Sequence, residues 1–199
     1  FNDLGVRWID GQRRFVRTPE TGSAAGELVL VDTVTGVSRQ LTADGSAKRF
    51  PYGFLDPRSG RLRVLALVDG DTRIGLWEDP GHGGLFTRIR TLAVPGAEGR
   101  TLGSPEPFVV DGRSWVSFVV RDGVAGGPAE VWLTSTDGRA AWRCDDGEPE
   151  LARSDPETLV RDGQVSVFYN VIAPDGYRLY RCVSELPDTG LVFRGDFEG

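Results

Sequence analysis

Four carboxylates occupy positions at or just before short apolar segments of the chain: Asp3, Glu106, Asp155 and Glu157. Carboxylates that converge on one concave site perturb one another's pKa and divide into an acid and a base. Their oxygens also suit a hard cation such as Ca²⁺, and no other cofactor or metal is predicted. Neighbouring side chains are candidates for ligand contact; they are Trp8, Arg49, Tyr52 and Arg153.

The sequence gives little support for a zinc site or for a catalytic triad. Cys144 and Cys182 stand 38 residues apart, without the short Cys and His spacings of a zinc site. We expect two buried thiols there, with one disulfide as the alternative for an exported protein. The only histidine, His82, lies in a DPGHGG loop, so an exposed residue is expected and a Ser-His-Asp triad is not.

The composition limits the classes of partner. Hydrophobic residues make up 39% of the 199 residues and charged residues 26%, which is typical of a soluble globular protein. No apolar run approaches the ~18 residues of a membrane span. The formal net charge is −6 and no basic cluster stands apart from acidic residues, which argues against nucleic acid and anionic membranes as partners. We expect a monomer.

Turn signals and self-similarity predict the elements that position these residues. Asp-Gly occurs nine times between short runs of Val, Leu, Ile and aromatic residues, a density that predicts antiparallel hairpins and an all-β fold. SPEPFVVDGRSWVSFVV at 104–120 resembles DPETLVRDGQVSVFYN at 155–170, with a period of 51 residues. Similar segments lie about one and about two periods earlier in the chain, at 50–68 and 4–18.

Each of these segments contains two predicted strands joined by a turn, and two more predicted strands follow it. Four units of four strands therefore fill the chain. This pattern predicts a single four-bladed β-propeller domain over 1–199, with blades at about 1–47, 48–101, 102–152 and 153–199. A two-sheet sandwich is the competing fold, but it does not explain a fourfold period. The innermost strands would begin at the mouth of the axial channel, where the repeat aligns Asp3 with Ser104 and Asp155, and Glu106 with Glu157. For any one of these carboxylates alone, a solvated or Arg-paired residue is the simpler interpretation.

The segments at 104–120 and 155–170 resemble blade-opening strands of five-bladed propeller glycoside hydrolases, the arabinanase, β-xylosidase and fructosidase group. The resemblance implies a carbohydrate substrate in the axial pocket and hydrolysis by carboxylates at its mouth. By position, Asp3 or Asp155 would be the base or nucleophile, and Glu106 or Glu157 the proton donor. The chain departs from that group in its four predicted blades, and in Tyr52 where a carboxylate is expected.

Two other functions fit a propeller equally well, because the fold hosts unrelated activities. One is a lectin-like or hemopexin-like module that binds a glycan, small molecule or protein without catalysis. The other is a cyclase or similar acid–base enzyme whose apolar axial pocket holds one perturbed carboxylate. The carboxylate set favours hydrolysis over both.

Overall fold

The computed structural model of the chain consists of strands and turns. It describes residues 7–9, 14–123, 127–145, 147–148, 150–173, 176–184 and 186, with 7–9 described by their backbone alone. These residues form fifteen strands in four antiparallel sheets and contain no helix, which confirms the all-β prediction. Accordingly, the described residues include no helix that is long and apolar enough to span a membrane.

The chain divides into two compact units, Phe1–Leu92 and Ala93–Gly199, each with two sheets. In the first unit, sheet 1 is formed by β1 (Arg7–Ile9), β2 (Arg14–Arg17), β3 (Val29–Asp32) and β4 (Ser38–Gln40), and sheet 2 by β5 (Arg49–Leu55), β6 (Leu62–Val68), β7 (Arg73–Glu78) and β8 (Thr87–Leu92). Strands that are consecutive in the chain are neighbours in each sheet. The single domain over the whole chain stays a prediction.

The second unit repeats this arrangement. Sheet 3 is formed by β9 (Thr101–Val110), β10 (Arg113–Arg121), β11 (Ala129–Ser135) and β12 (Ala141–Arg143), and sheet 4 by β13 (Ala152–Arg161), β14 (Gln164–Ala173) and β15 (Gly176–Ser184). A fourth strand of sheet 4 is predicted at 191–195, which lies outside the described residues. The predicted four-strand pattern is therefore confirmed in three sheets, and its first three strands in the fourth.

Two of the Asp-Gly turns join antiparallel strands into hairpins, as the sequence predicts. Asp111 and Gly112 join β9 to β10 with φ angles of 49° and 67°, and Asp162 and Gly163 join β13 to β14 with 52° and 76°. Two consecutive residues with positive φ form the type I′ turn, whose twist matches that of the strands on either side. These turns close the hairpins that carry two of the predicted site segments.

A buried lysine anchors the loop that leads into β5. Lys48, 1% exposed, donates from Nζ to Glu27 Oε2 at 2.8 Å, Asp44 Oδ1 at 2.6 Å and the Ser46 carbonyl at 2.7 Å. Glu27 is also buried and accepts from the hydroxyl of Thr42 at 2.5 Å. The three donors of the ammonium group are thus all used, which is the condition under which a buried charge is tolerated.

Sheets 3 and 4 pack face to face around the apolar core of the second unit. Sheet 3 contributes Phe108, Val110, Trp115, Val119, Val131 and Leu133, and sheet 4 contributes Val165, Val167, Tyr169 and Val171. Alternate residues of each strand reach this core, as the period of two requires. Sheets 1 and 2 share a similar core in the first unit.

Cys144 and Cys182 form a disulfide, so the expectation of two thiols is wrong and the alternative of one disulfide is confirmed. Cys144 follows β12 of sheet 3 and Cys182 lies in β15 of sheet 4, with their Cα atoms 5.8 Å apart. Both contact the core between these sheets. The packing of the two sheets brings the residues together, which a sequence separation of 38 does not reveal.

Candidate functional site

The first strands of sheets 2, 3 and 4, which are β5, β9 and β13, share one local irregularity. In each, two residues stand opposite a single residue of the neighbouring strand, which is a β-bulge. The bulged pairs are Phe50-Pro51, Ser104-Pro105 and Asp155-Pro156. The first residue of each pair has a left-handed φ, of 49°, 44° and 49° respectively.

This conformation is strained at all three positions. A left-handed φ costs a residue with a side chain about 1–2 kcal/mol, and a following proline restricts the backbone further. Such strain persists where the surrounding structure enforces it, and it concentrates at functional sites, as β-bulges do. The bulges of β9 and β13 fall at equivalent positions of the repeat, so the strand registers agree with the alignment of Ser104 with Asp155 and of Glu106 with Glu157.

The strain at Ser104 is measurable by comparing two substitutions. Both Ser104→Ala and Ser104→Gly remove the hydroxyl, but only glycine accepts φ = 44° without strain. We expect Ser104→Gly to be more stable than Ser104→Ala by about 1 kcal/mol in urea unfolding. Ser154 lies in β13, directly before the bulge of that strand, and has no positive φ. At this position we expect the alanine variant to be more stable than the glycine variant. The same order at both positions would contradict strain at the bulge.

In the second unit, the carboxylate of one bulge lies close to the hydroxyl of the other bulge and to the side-chain amide of Asn170. The Ser104 hydroxyl lies 3.3 Å from Asp155 Oδ1, and Asn170 Nδ2 lies 3.5 Å from Asp155 Oδ2. Each oxygen of this exposed carboxylate therefore faces its own donor, which orients the group while leaving it open to solvent. Asp155 is therefore a candidate site residue, and its predicted catalytic role stays a prediction.

Arg121 completes this cluster from the end of β10. A Cβ atom on Gly103 would clash with Arg121 Nη1 and would lie 3.0 Å from Val119 Cγ2, so the glycine makes room for the guanidinium. Arg121 Nη2 also donates to the Arg153 carbonyl at 3.4 Å. Burial lowers the pKa of Arg121, and the negative charge of Asp155 partly offsets this effect. A positive charge is thus held beside the candidate carboxylate.

Ser117 links β9 and β13, the first strands of sheets 3 and 4, beneath the site. Its buried hydroxyl lies 3.4 Å from the Glu106 carbonyl and 3.3 Å from the Pro156 carbonyl, and it accepts a hydrogen bond from Thr158 Oγ1 at 3.0 Å. The hydroxyl carries one proton, so it donates to one of the two carbonyls at a time. This bridge fixes the spacing between β9 and β13, on which the position of Asp155 relative to Ser104 depends.

The two predicted glutamates have different surroundings although they are equivalent in the repeat. Glu106 is 8% exposed, because it shares a face of sheet 3 with Phe108, and this face packs against sheet 4. Glu157 is exposed on the opposite side of sheet 4. Only Glu157 is therefore as accessible to solvent as Asp155.

The predicted ligand contact of Arg153 does not fit its position. This side chain is 1% exposed, and it donates to the carbonyls of Ala129 at 2.6 Å, Leu151 at 3.1 Å and Glu148 at 2.6 Å. Its role is to hold loop backbone in the interior. We leave it out of the proposed site.

The candidates of the first unit are engaged within their own sheet. Arg49 forms an ion pair with Asp71 at 2.6 Å, and its guanidinium lies over the Phe50 ring at 5.2 Å. Burial raises the pKa of Asp71, while Arg49 opposes the shift. Tyr52, directly after the bulge, is 5% exposed. Asp3 and the side chain of Trp8 lie outside the described residues, so their predicted roles stay predictions.

Two partners of Asp155, Arg121 and Asn170, were not singled out by the sequence. Asn170 ends the aromatic segment SVFYN, and Arg121 follows the apolar run of β10, so neither stands in a recognisable motif. The pairing of Gly103 with Val119, which leaves space for the Arg121 side chain, is seen only in the strand register of the structure. Among the described residues, no group of three or more His, Cys, Asp or Glu side chains is placed to hold a metal ion.

Comparison with solved structures places the chain in a class of fold. It is an all-β chain of antiparallel sheets that resembles the five-bladed propellers of glycoside hydrolases, as the sequence indicated. No protein-family description matches the chain, and no curated protein sequence is similar to it.

Three of these structures illustrate the likeness. The endo-arabinase of Bacteroides thetaiotaomicron has a TM-score of 0.57 at 11% identity, over 90% of this chain and 74% of that one. The alpha-L-arabinofuranosidase of Lactobacillus brevis has a TM-score of 0.60 at 11% identity, over 94% and 71%. The alpha-L-arabinanase of Penicillium chrysogenum, complexed with arabinobiose, has a TM-score of 0.58 at 12% identity, over 87% and 59%. At these identities the likeness is one of fold.

Proposed function

We propose that this chain is a carbohydrate-active β-propeller domain whose four sheets are its four blades. It binds a glycan at the bulges of β9 and β13 in the second unit and hydrolyses it in the manner of a glycosidase. The observation that carries the proposal is Asp155, an exposed carboxylate at a strained bulge with a donor facing each oxygen. The fold supports it, since the similar structures include an arabinase, an arabinofuranosidase and a galactanase.

The chemistry assigns different roles to the two exposed carboxylates of the second unit. Glycosidases use one carboxyl group as base or nucleophile and another as proton donor. Asp155 is the base or nucleophile, because Ser104 and Asn170 fix its orientation and Arg121 stabilises its negative charge. Glu157, two residues further along β13, is the proton donor. Glu106 is too deeply buried to share this role.

Replacing Asp155 by asparagine is expected to slow hydrolysis by orders of magnitude and to weaken glycan binding. Loss of a catalytic carboxylate lowers the rate about 10²–10⁴-fold. For a sugar at about 100 times its Kd, binding stabilises the wild type by about 2.7 kcal/mol, and Asp155→Asn should lose most of this stabilisation. The measurement is thermal unfolding and release of reducing sugar with arabino-, xylo- and β-1,3-galacto-oligosaccharides, each with and without Ca²⁺.

Asp162→Asn is the matched control. It makes the same chemical change in the same hairpin, also at a positive φ, but at the turn that ends β13. It should retain both binding and turnover. Glu157→Gln should lower turnover more than affinity if it donates the proton. Binding without turnover in the wild type would favour the lectin-like alternative, and no response to any sugar would contradict the proposal.

A further inference from the structure

The guanidinium of Arg121 has hydrogen-bond donors that the described part of the chain does not use. It donates to the Arg153 carbonyl at 3.4 Å and forms no ion pair with any carboxylate of the residues that the structure describes. A guanidinium has five N–H donors, so several of them remain for another partner. None of its nitrogen atoms is both fully buried and without a hydrogen-bond partner, so the remaining donors reach solvent.

Two other arginines of the second unit are well supplied with acceptors. Arg100 pairs with Asp122 at 2.6 Å and with Glu130 at 2.7 Å. Arg153 donates to three backbone carbonyls. Asp122 follows Arg121 directly in the chain, yet its carboxylate pairs with Arg100. Arg121 differs from both of these arginines because it keeps donors for an acceptor from outside the chain.

The surroundings of Arg121 hold its charge in place and leave it only partly compensated. A Cβ atom on Gly103 would clash with Arg121 Nη1, so the glycine at this position keeps space for the guanidinium. Burial lowers the pKa of Arg121, and the negative charge of Asp155 offsets only part of this effect. A lowered arginine pKa means that the surroundings disfavour the positive charge. An anion bound beside the guanidinium would therefore be favourable.

We propose that Arg121 binds a carboxylate of the substrate, so that the glycan recognised at this site contains uronic acid residues. The inference rests on the proposed function and adds the substrate class to it. The planar guanidinium forms two parallel, charge-assisted hydrogen bonds with a carboxylate, and these are stronger than its hydrogen bonds to a neutral sugar hydroxyl. The positive charge of Arg121 also reduces the repulsion between this carboxylate and Asp155, since it attracts both.

The test is titration calorimetry with oligosaccharides of galacturonic acid and of glucuronic acid, each compared with its methyl ester. The ester keeps the sugar and removes the charge, so the ratio of the two affinities isolates the contribution of the carboxylate. The wild type should bind at least one of the acids about 10–100-fold more tightly than its ester, the range for a hydrogen bond to a charged group. This preference should decrease as salt is added.

Three variants test the assignment to Arg121. Arg121→Gln should remove the preference for the acid and change the affinity for the ester little. Gly103→Ala retains the arginine but fills the space of its guanidinium, so it should lower the preference as well. Arg113→Gln is the matched control, because Arg113 is also partly buried and lies at the opposite end of β10. It should keep the preference of the wild type.

The readout is the ratio of affinities rather than turnover, because Arg121 also acts on Asp155. A wild type that binds esters or neutral arabino-, xylo- and galacto-oligosaccharides as tightly as the acids would overturn this inference and leave the proposed function standing. A preference retained by Arg121→Gln, shown to be folded by circular dichroism, would place recognition of the charge elsewhere and overturn it too. Absence of binding to every oligosaccharide, neutral or acidic, would contradict both the inference and the proposed function.

Discussion

Replacing Lys48 by methionine is expected to lower the free energy of unfolding by about 3–5 kcal/mol. The variant removes the ammonium group and leaves the Glu27 carboxylate buried, with its donors reduced to Thr42 and the backbone of Gly45. A buried charge without its counter-charge is strongly destabilising. The measurement is urea unfolding of wild type and variant at pH 7, followed by circular dichroism.

The control for this variant is an exposed ion pair in the same unit. Arg61 and Glu78 are 3.2 Å apart, with the arginine side chain 54% exposed. Arg61→Met should cost less than about 1 kcal/mol, since solvent already screens this pair. The double variant Lys48→Met with Glu27→Gln should recover part of the loss, because no charge then remains buried. A Lys48→Met effect as small as that of Arg61→Met would contradict the structure.

The same cluster predicts the direction of the pH dependence. Burial acts to raise the pKa of Asp44, but hydrogen bonds from Lys48 and Ser46 outweigh it and lower the pKa from 3.8 to about 2. Since the pKa is lower in the folded state, the stabilisation is complete above the unfolded value and is lost as the pH falls from about 4 to about 2. This acid-dependent loss should be smaller in Lys48→Met.

Removing the disulfide is the other substitution with a large expected effect on stability. The double variant Cys144→Ser and Cys182→Ser should be less stable by about 4 kcal/mol, the loop-entropy value for a separation of 38 residues. The bond links the margins of sheets 3 and 4, so the loss should fall on the core that they share. The measurement is thermal and urea unfolding with and without a thiol reductant.

The reductant itself provides the control. It should destabilise the wild type towards the double variant and leave the double variant unchanged, because no other cysteine exists in the chain. Each single serine variant should behave like the double variant, since one cysteine alone cannot form the bond. A wild type unaffected by complete reduction, verified by thiol titration, would contradict the predicted contribution of the bond.

The sequence by itself determined the strands and their order. Alternating apolar residues, Asp-Gly turns and a period of 51 residues are local properties, and they specify hairpins wherever they occur. The equivalence of Ser104 with Asp155 follows from the same repeat, because each lies at one fixed distance from its turn. The location of the candidate site was predictable for this reason.

The tertiary structure alone decided which of these residues are accessible. Glu106 and Glu157 occupy equivalent positions, yet one is buried and the other exposed, because Glu106 lies on the face of sheet 3 that sheet 4 covers, while Glu157 lies on the side of sheet 4 away from sheet 3. Packing likewise brought Arg121 to Asp155 and Cys144 to Cys182. Burial and pairing depend on the element packed opposite a residue, and this information is not contained in the residue's own segment.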